Sequence, residues 1–310
     1  MRSLLKLTVC AATLALGAQA AQAETRVGVS MTSFDNPFLT ILLNGIRAEG
    51  AKHSDLELVV EDAQLDVAKQ LNQVQNMVAN KVDAIIVNPV DGAATPAMTK
   101  LAVDAGIPLV YVNHPPAEEA AMPAGTSFVG SNEIDSGTME TEAVCKLLGG
   151  KGKVLVLMGP LENEASIVRT KDIEDVIAKE PCKGMEIVDK QVGNWNRTQG
   201  ADLTTNWLTS GVEFDAIISN NDEMAIGAIQ ALKQAGVPMD KVVVAGIDAT
   251  PDGLAAMEAG DLDVTVFQNA TKQGEVALET ALAMAKGEKA EANIWVPFEP
   301  VTPDNMQKYK

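Results

Sequence analysis

Amides and carboxylates recur along this chain, each group just after a short apolar run. Ser33, Phe34, Asp35, Asn36 and Phe38 follow the first run; Asn88, then Asn113 with His114, then Asn221 with Asp222, then Asp248, then Gln268 follow later ones. Taken singly, such residues are ordinary turn formers and helix caps, because Asn and Asp side chains bond nearby backbone amides. A turn does not require an amide at nearly every run's end. An amide donates with one atom and accepts with the other, and a carboxylate accepts twice, so each can hold two neighbouring hydroxyls. That chemistry suits a polyol. An aromatic face covers the apolar C–H side of a polyol ring, and Phe34, Phe38 and Trp195 stand in polar segments where they are free for that task. For Trp195, in Gly193-Asn194-Trp195-Asn196, stacking on a ligand and simple packing both remain open.

The sequence provides poorly for catalysis. It holds two histidines, His53 and His114, and no Gly-x-Ser-x-Gly elbow. It also lacks metal-ligand spacings, a Walker glycine loop and the Asp-x-Asp-x-Asp-Gly calcium pattern, so no catalytic residue, cofactor or metal is expected. A carbohydrate-processing enzyme is the rival reading, and turnover of a labelled polyol would separate the two. With 24 basic against 42 acidic residues the net charge is −18, which opposes nucleic acid and anionic lipid as partners.

Residues 1–23 read as an export signal. Arg2 and Lys6 form a basic start, Leu7 to Leu16 an apolar stretch, and Ala21-Gln22-Ala23 a small-x-small cleavage site before Glu24. Cys10 lies inside the signal, so export to an oxidising compartment leaves Cys145 and Cys182 as candidates for one disulfide; the alternative is two buried thiols. Cys145 falls near the end of a helix expected over 133–148 and Cys182 just after one over 167–179. Parallel neighbouring strands would bring those helix ends to one sheet edge, which predicts the pairing.

The elements that must position these side chains follow from the runs themselves. Strands are expected at 26–31, 56–60, 84–87, 108–112, 153–158, 185–188, 216–219, 242–247 and 263–267, nearly all apolar and therefore buried on both faces, as in a parallel sheet covered by helices. Helical stripes lie between them, over 66–80 and 223–234 for example. A chain of 310 residues is about twice the usual domain size, and its two halves resemble each other. Val27-Gly28-Val29-Ser30-Met31, Asp83-Ala84-Ile85-Ile86 and Ala105-Gly106-Ile107-Pro108 have counterparts 127, 132 and 130 residues later, in the same order. The fold class is α/β, two similar doubly wound lobes, the first ending near Val129. Ligands of open parallel sheets bind outside the carboxyl ends of the strands, where the amides stand.

At these positions the chain resembles the substrate-binding proteins of bacterial ABC importers, of the type I ribose/galactose class. The resemblance spans residues 25 to about 300. It rests on Asp35-Asn36-Pro37-Phe38, Asn88-Pro89, Asn221-Asp222-Glu223-Met224-Ala225-Ile226-Gly227-Ala228 and Gly246-Ile247-Asp248-Ala249-Thr250-Pro251-Asp252-Gly253. It implies two lobes, 24–130 plus 269–296 and 131–268 plus 297–310, joined by three hinge crossings near residues 130–132, 267–269 and 295–298. It further implies a sugar bound in the cleft by hinge closure, a membrane permease as partner, and a monomer in the periplasm. Matching motif positions places ligand contacts on Asn36, Phe38, Asn88, Asn113, His114, Arg169, Trp195, Asn221, Asp248 and Gln268, beside the Phe34 and Asp35 already noted. Asn113-His114 stands where ribose- and galactose-type members present an Asp-Arg pair, a change that alters hydroxyl geometry. In that and in residues 29–38 the chain is similar to the inositol- and rhizopine-binding branch, with ribose or another aldose as the alternative ligand. Sugar phosphates are disfavoured, since Arg169 and His114 are the only cations expected in the cleft, against Asp35, Asp222 and Asp248.

Overall fold

The computed structural model describes residues 25–310, so the export signal read over residues 1–23 lies outside the described residues. The chain opens with β1 (Thr25–Met31), α1 (Pro37–Gly50), β2 (Leu56–Asp62), α2 (Val67–Ala79), β3 (Ala84–Val87), α3 (Thr95–Ala105), β4 (Leu109–Val112) and β5 (Thr126–Gly130). It continues with α4 (Glu133–Leu148), β6 (Lys151–Met158), α5 (Glu164–Ile177), β7 (Gly184–Val192), α6 (Arg197–Thr209), β8 (Ala216–Ser219), α7 (Asp222–Gln234) and β9 (Val243–Ala245). The last elements are α8 (Pro251–Glu258), β10 (Thr265–Phe267), α9 (Ala270–Ala285), β11 (Asn293–Trp295) and β12 (Glu299–Val301).

Two lobes result. The first contains a parallel sheet in the order β11-β5-β4-β3-β1-β2, and the second a parallel sheet in the order β7-β6-β8-β9 beside the antiparallel pair β10-β12. Strand β3, wholly apolar, and β8, apolar up to Ser219, lie inside their sheets with every residue buried, which removes from water the surface that drives each lobe to fold. The chain passes between the lobes after β5, after β10 and after β11. The second passage returns α9 to the first lobe, where Leu278, Ala281 and Leu282 join the core of Val27, Leu42 and Ile46. Gly274 permits this: a Cβ there would lie 2.2 Å from the carbonyl oxygen of Leu42, so only glycine lets α9 approach α1 so closely.

Strands β5, β11 and β12 were not foreseen from the apolar runs. Thr126-Ser127-Phe128-Val129-Gly130 is fully buried, yet three of its five residues are small or polar, and β11 and β12 have three residues each, too few to show a pattern. Cys145 and Cys182 are joined by a disulfide with a Cα–Cα distance of 5.7 Å. It ties the end of α4 to the segment before β7, within a core that includes Val154, Val156 and Ile173.

Candidate functional site

Between the lobes, at the carboxyl ends of both parallel sheets, lies a cavity of about 280 Å³. Its volume falls near the lower end of the roughly 300–1,000 Å³ typical of ligand pockets, which fits one small ring. From the first lobe come Asp35, Asn36 and Phe38 after β1 and Asn113 and His114 after β4. From the second come Arg169 on α5, Trp195 before α6, Asn221 before α7, Asp248 after β9 and Gln268 after β10. Five of its polar side chains are buried: Asn113, Arg169, Asn221, Asp248 and Gln268 are each at most 5% exposed.

The same local chemistry that starts the helices aims these groups. Asn36 and Asn221 cap α1 and α7, their Oδ1 atoms accepting from the amides of Leu39 (3.2 Å) and Met224 (3.0 Å). Each therefore keeps its Nδ2 as an unused donor. Asn113 donates through Nδ2 to Gln273 Oε1 at 3.1 Å and keeps its oxygen free. Asn113, Trp195 and Asp248 all have positive φ, at 68°, 57° and 123°. Non-glycine residues hold such conformations at a cost of order 1–3 kcal/mol each, and they concentrate where surroundings fix a functional side chain.

Arg169 is the buried hub. Its Nε donates to Glu133 Oε2 at 2.7 Å, Nη1 to the Asn220 carbonyl at 2.8 Å and Nη2 to Gln268 Oε1 at 3.3 Å. The guanidinium carbon lies 5.6 Å from the Trp195 ring centroid and 5.8 Å from that of Phe298, within cation–π range. Helices α4 and α5 meet at Gly137, where a Cβ would lie 2.6 Å from the Arg169 carbonyl oxygen; this close crossing brings Glu133 to the guanidinium. Asp248, by contrast, makes no side-chain hydrogen bond among the described residues. Burial, reinforced by Asp222, Glu133 and Glu223, pushes its carboxyl well above the ordinary carboxylate range, with Arg169 opposing. Gln268 Nε2 is likewise buried without a partner.

Three expectations need correction. Phe34 does not line the cavity. The turn held by Asp35 N donating to Ser33 Oγ (3.0 Å) leaves Phe34 39% exposed at the surface. Asn88 does not line it either, because both ends of its amide are used internally: Oδ1 accepts from Thr32 N at 3.3 Å and Nδ2 donates to the Val112 carbonyl at 3.1 Å. Asp222 faces away, accepting from Thr250 N (2.8 Å) and Thr265 Oγ1 (2.7 Å), and burial pushes its carboxyl up to about 7. It anchors the loop that presents Asp248. His114 is present in the lining, but its Nδ1 donates to the Pro89 carbonyl at 2.8 Å and burial lowers its pKa to about 4, so it is neutral at pH 7 with Nε2 as an acceptor.

Sequence reasoning missed Glu133, Arg197 and Glu223. Arg197 forks onto Glu223 at 2.9 and 2.7 Å and reaches Asp252 at 2.7 Å; Glu133, Arg197 and Glu223 line the cavity, and Asp252 stays outside it. Arg197 and Glu223 directly follow Trp195-Asn196 and Asn221-Asp222, so reading one helical position further would have found both. Among the described residues no group of His, Cys, Asp and Glu side chains is arranged to hold a metal, and no helix is long and apolar enough to cross a membrane.

A family model described as a periplasmic binding protein domain matches residues 27–289. The chain belongs to the periplasmic binding protein family. Its curated relatives include a Rhizobium meliloti protein provisionally named a rhizopine-binding protein, 56% identical over 98% of each chain. Two solved structures share the type I fold. An ABC transporter solute-binding protein from Bacillus halodurans, solved with bound myo-inositol, superposes with a TM-score of 0.88 at 41% identity, over 94% of this chain and 98% of that one. The Caulobacter myo-inositol binding protein, also bound to myo-inositol, gives 0.84 at 30% identity over 93% and 96%. In this periplasmic binding protein, the atoms left unpaired around the cavity are of the kind a polyhydroxylated ring satisfies: donors on Asn36, Asn221 and Gln268, acceptors on Asn113, His114 and Asp248.

Proposed function

We propose that this protein is the periplasmic receptor of an ABC importer. It captures a cyclic polyol of the rhizopine or inositol kind between its lobes and delivers it to a membrane permease without chemical change. The observation that carries the reading is the 280 Å³ cavity that both lobes line with unpaired amide and carboxylate groups, most of them buried. A ring with hydroxyls on both faces gains its second set of hydrogen bonds only when the lobes meet, so binding favours the closed form. The ligands in the names of the relatives and structural neighbours, rhizopine and myo-inositol, support the same class. Asn36, Phe38, Asn113, Arg169, Trp195, Asn221, Asp248 and Gln268 are the proposed contacts, with Asp35 and His114 at the first-lobe side.

Mass spectrometry of small molecules released from purified protein should identify an inositol or an amino-cyclitol, returned unchanged after incubation. Ribose or galactose binding tenfold tighter than any cyclitol in calorimetry would replace the ligand assignment with the aldose reading. Turnover of a labelled polyol would replace the receptor with an enzyme. An unchanged radius of gyration at saturating ligand would remove the closure.

A further inference from the structure

Gln273 takes no part in the cavity lining, yet it holds a residue that does. It lies wholly buried in the first turn of α9, at one link of a row of hydrogen bonds. Asn113 Nδ2 donates to Gln273 Oε1 at 3.1 Å, Gln273 Nε2 donates to Ser131 Oγ at 2.9 Å, and Ser131 Oγ donates to the Val296 carbonyl at 2.6 Å. All four residues are at most 6% exposed. The row starts at the cavity wall and ends in the hinge: Ser131 stands on the first passage between the lobes, Gln273 just past the second, and Val296 on the third. Its supports are fixed in turn. Val296 N donates to the Gly130 carbonyl and Asn113 N to the Val129 carbonyl, each at 2.8 Å, while Gly274 seats α9 against α1.

The direction of these bonds is set from the hinge end. A backbone carbonyl only accepts, so Val296 takes the single hydroxyl proton of Ser131. Ser131 Oγ is thereby left as an acceptor and draws the NH2 end of Gln273 toward itself. Gln273 Oε1 then faces Asn113, which must answer with Nδ2, so Asn113 keeps Oδ1 for the cavity. Reversing Gln273 alone would set NH2 against NH2 at Asn113 and oxygen against oxygen at Ser131. Asn36 and Asn221 have the opposite polarity, because backbone amides at the helix starts occupy their oxygens and leave Nδ2. An amide turned by 180° keeps its shape, so it is its buried partner that decides whether a ligand hydroxyl meets a donor or an acceptor.

We propose that Gln273 is a positioning residue for ligand capture: it carries the polarity set at the hinge to Asn113 and so fixes Asn113 as an acceptor toward the ligand. The inference rests on the polyol-receptor reading and adds to it a residue outside the pocket.

Calorimetry of the intact protein, with myo-inositol and scyllo-inosamine as probes, tests this. Gln273→Met keeps an unbranched side chain but removes both bonds, and it should weaken binding about tenfold. Asn113→Ala deletes the amide that Gln273 orients, so in that background the same Gln273→Met should cost less than about twofold. Gln273→Glu offers Asn113 an oxygen in either protonation state and should recover most of the lost affinity. Ser131→Ala interrupts the row from the hinge end with Gln273 intact; it should weaken binding about threefold, again only while Asn113 is present. This second cycle decides the matter if urea unfolding shows that Gln273→Met does not fold. Losses that are the same with and without the Asn113 amide, or a Gln273→Glu protein as weak as Gln273→Met, overturn the positioning role and leave the polyol receptor standing. Wild-type protein that binds neither probe overturns the receptor reading and this inference with it.

Discussion

Asn88 follows β3 in the first lobe, and Asn220 occupies the same place after β8 in the second, 132 residues later, after the matching sequence Asp-Ala-Ile-Ile. In both lobes that aspartate accepts from the first sheet strand, Asp83 from Arg26 N and Asp215 from Lys153 N, each at 2.7 Å. In both, the asparagine Oδ1 accepts a backbone amide from the loop after that strand, Thr32 at 3.3 Å and Gly159 at 3.1 Å. The likeness ends at Nδ2. That of Asn88 donates to Val112 and ties three strands together, whereas that of Asn220 is buried and unpaired while the residue's carbonyl receives Arg169. The first lobe spends this amide on its own backbone, and the charged group it brings to the cavity lining, Asp35, is exposed. The other holds a buried guanidinium and the acids around it, so charge recognition falls to the second lobe.

The sharpest way to break the comparison is to remove that hub. Arg169→Met should leave Glu133 buried without a counter-ion and cost about 3–5 kcal/mol in urea unfolding, with loss of ligand binding. Adding Glu133→Gln should recover a large part of the stability, because the uncompensated charge is then gone. A loss no larger than that of a neutral amide substitution would show that the hub is solvated and that the lobes do not differ in this way.

Replacing Cys145 and Cys182 by serine should cost about 2–4 kcal/mol, and the loss should be confined to the second lobe. Hydrogen exchange would locate it: faster exchange in α4 and β7 with β1 to β4 unchanged is the expected pattern. Acceleration in both lobes would mean that they unfold as one unit.

A smaller effect should come from Asn88→Ala, about 1–3 kcal/mol, since the buried Thr32 amide and Val112 carbonyl lose their partner. The corresponding Asn220→Ala should cost at least as much, because, although its Nδ2 has no bond to lose, its Oδ1 accepts from Gly159 N and Thr170 Oγ1, each at 3.1 Å, and from Ser166 Oγ at 3.5 Å. The reverse order, measured by the same unfolding midpoint, would contradict the comparison.

The fold was legible because the apolar runs at β1, β3, β4, β6 and β8 are buried on both faces and therefore continuous in sequence. The repeat Asp-Ala-Ile-Ile marked the second lobe for the same reason. Much of the cleft was legible too, because side chains just past a parallel strand have nowhere else to point. What the sequence concealed was competition for those side chains. Nothing in Asn88-Pro89 distinguishes an amide used up by Thr32 and Val112 from one that is free, and Asp222 reads like Asp248 until Thr250 and Thr265 are brought to it. Glu133 was hidden because its partner, Arg169, is 36 residues away and meets it only through the crossing of two helices.

The least expected effect in size, and the most specific in sign, concerns Glu140. Burial holds its carboxyl well above the ordinary value of 4.5, with Asp222 and Asp248 adding to the shift and Arg169 opposing it. A carboxyl whose folded pKa is raised binds its proton more tightly in the folded state, so the stability linked to it is present at low pH and declines as pH rises from the ordinary carboxylate value toward the folded one. Asp222, pushed up to about 7, titrates with the same sign. Glu140→Gln keeps the shape of the neutral acid and cannot ionise. It should change stability by less than about 1 kcal/mol at pH 5, yet flatten the decline between pH 5 and 8. Urea midpoints measured across that range decide the matter. Parallel curves for the two proteins would mean that Glu140 binds its proton no more tightly folded than unfolded, and that the acids behind the second lobe's cleft are stabilised by something other than burial of their neutral forms.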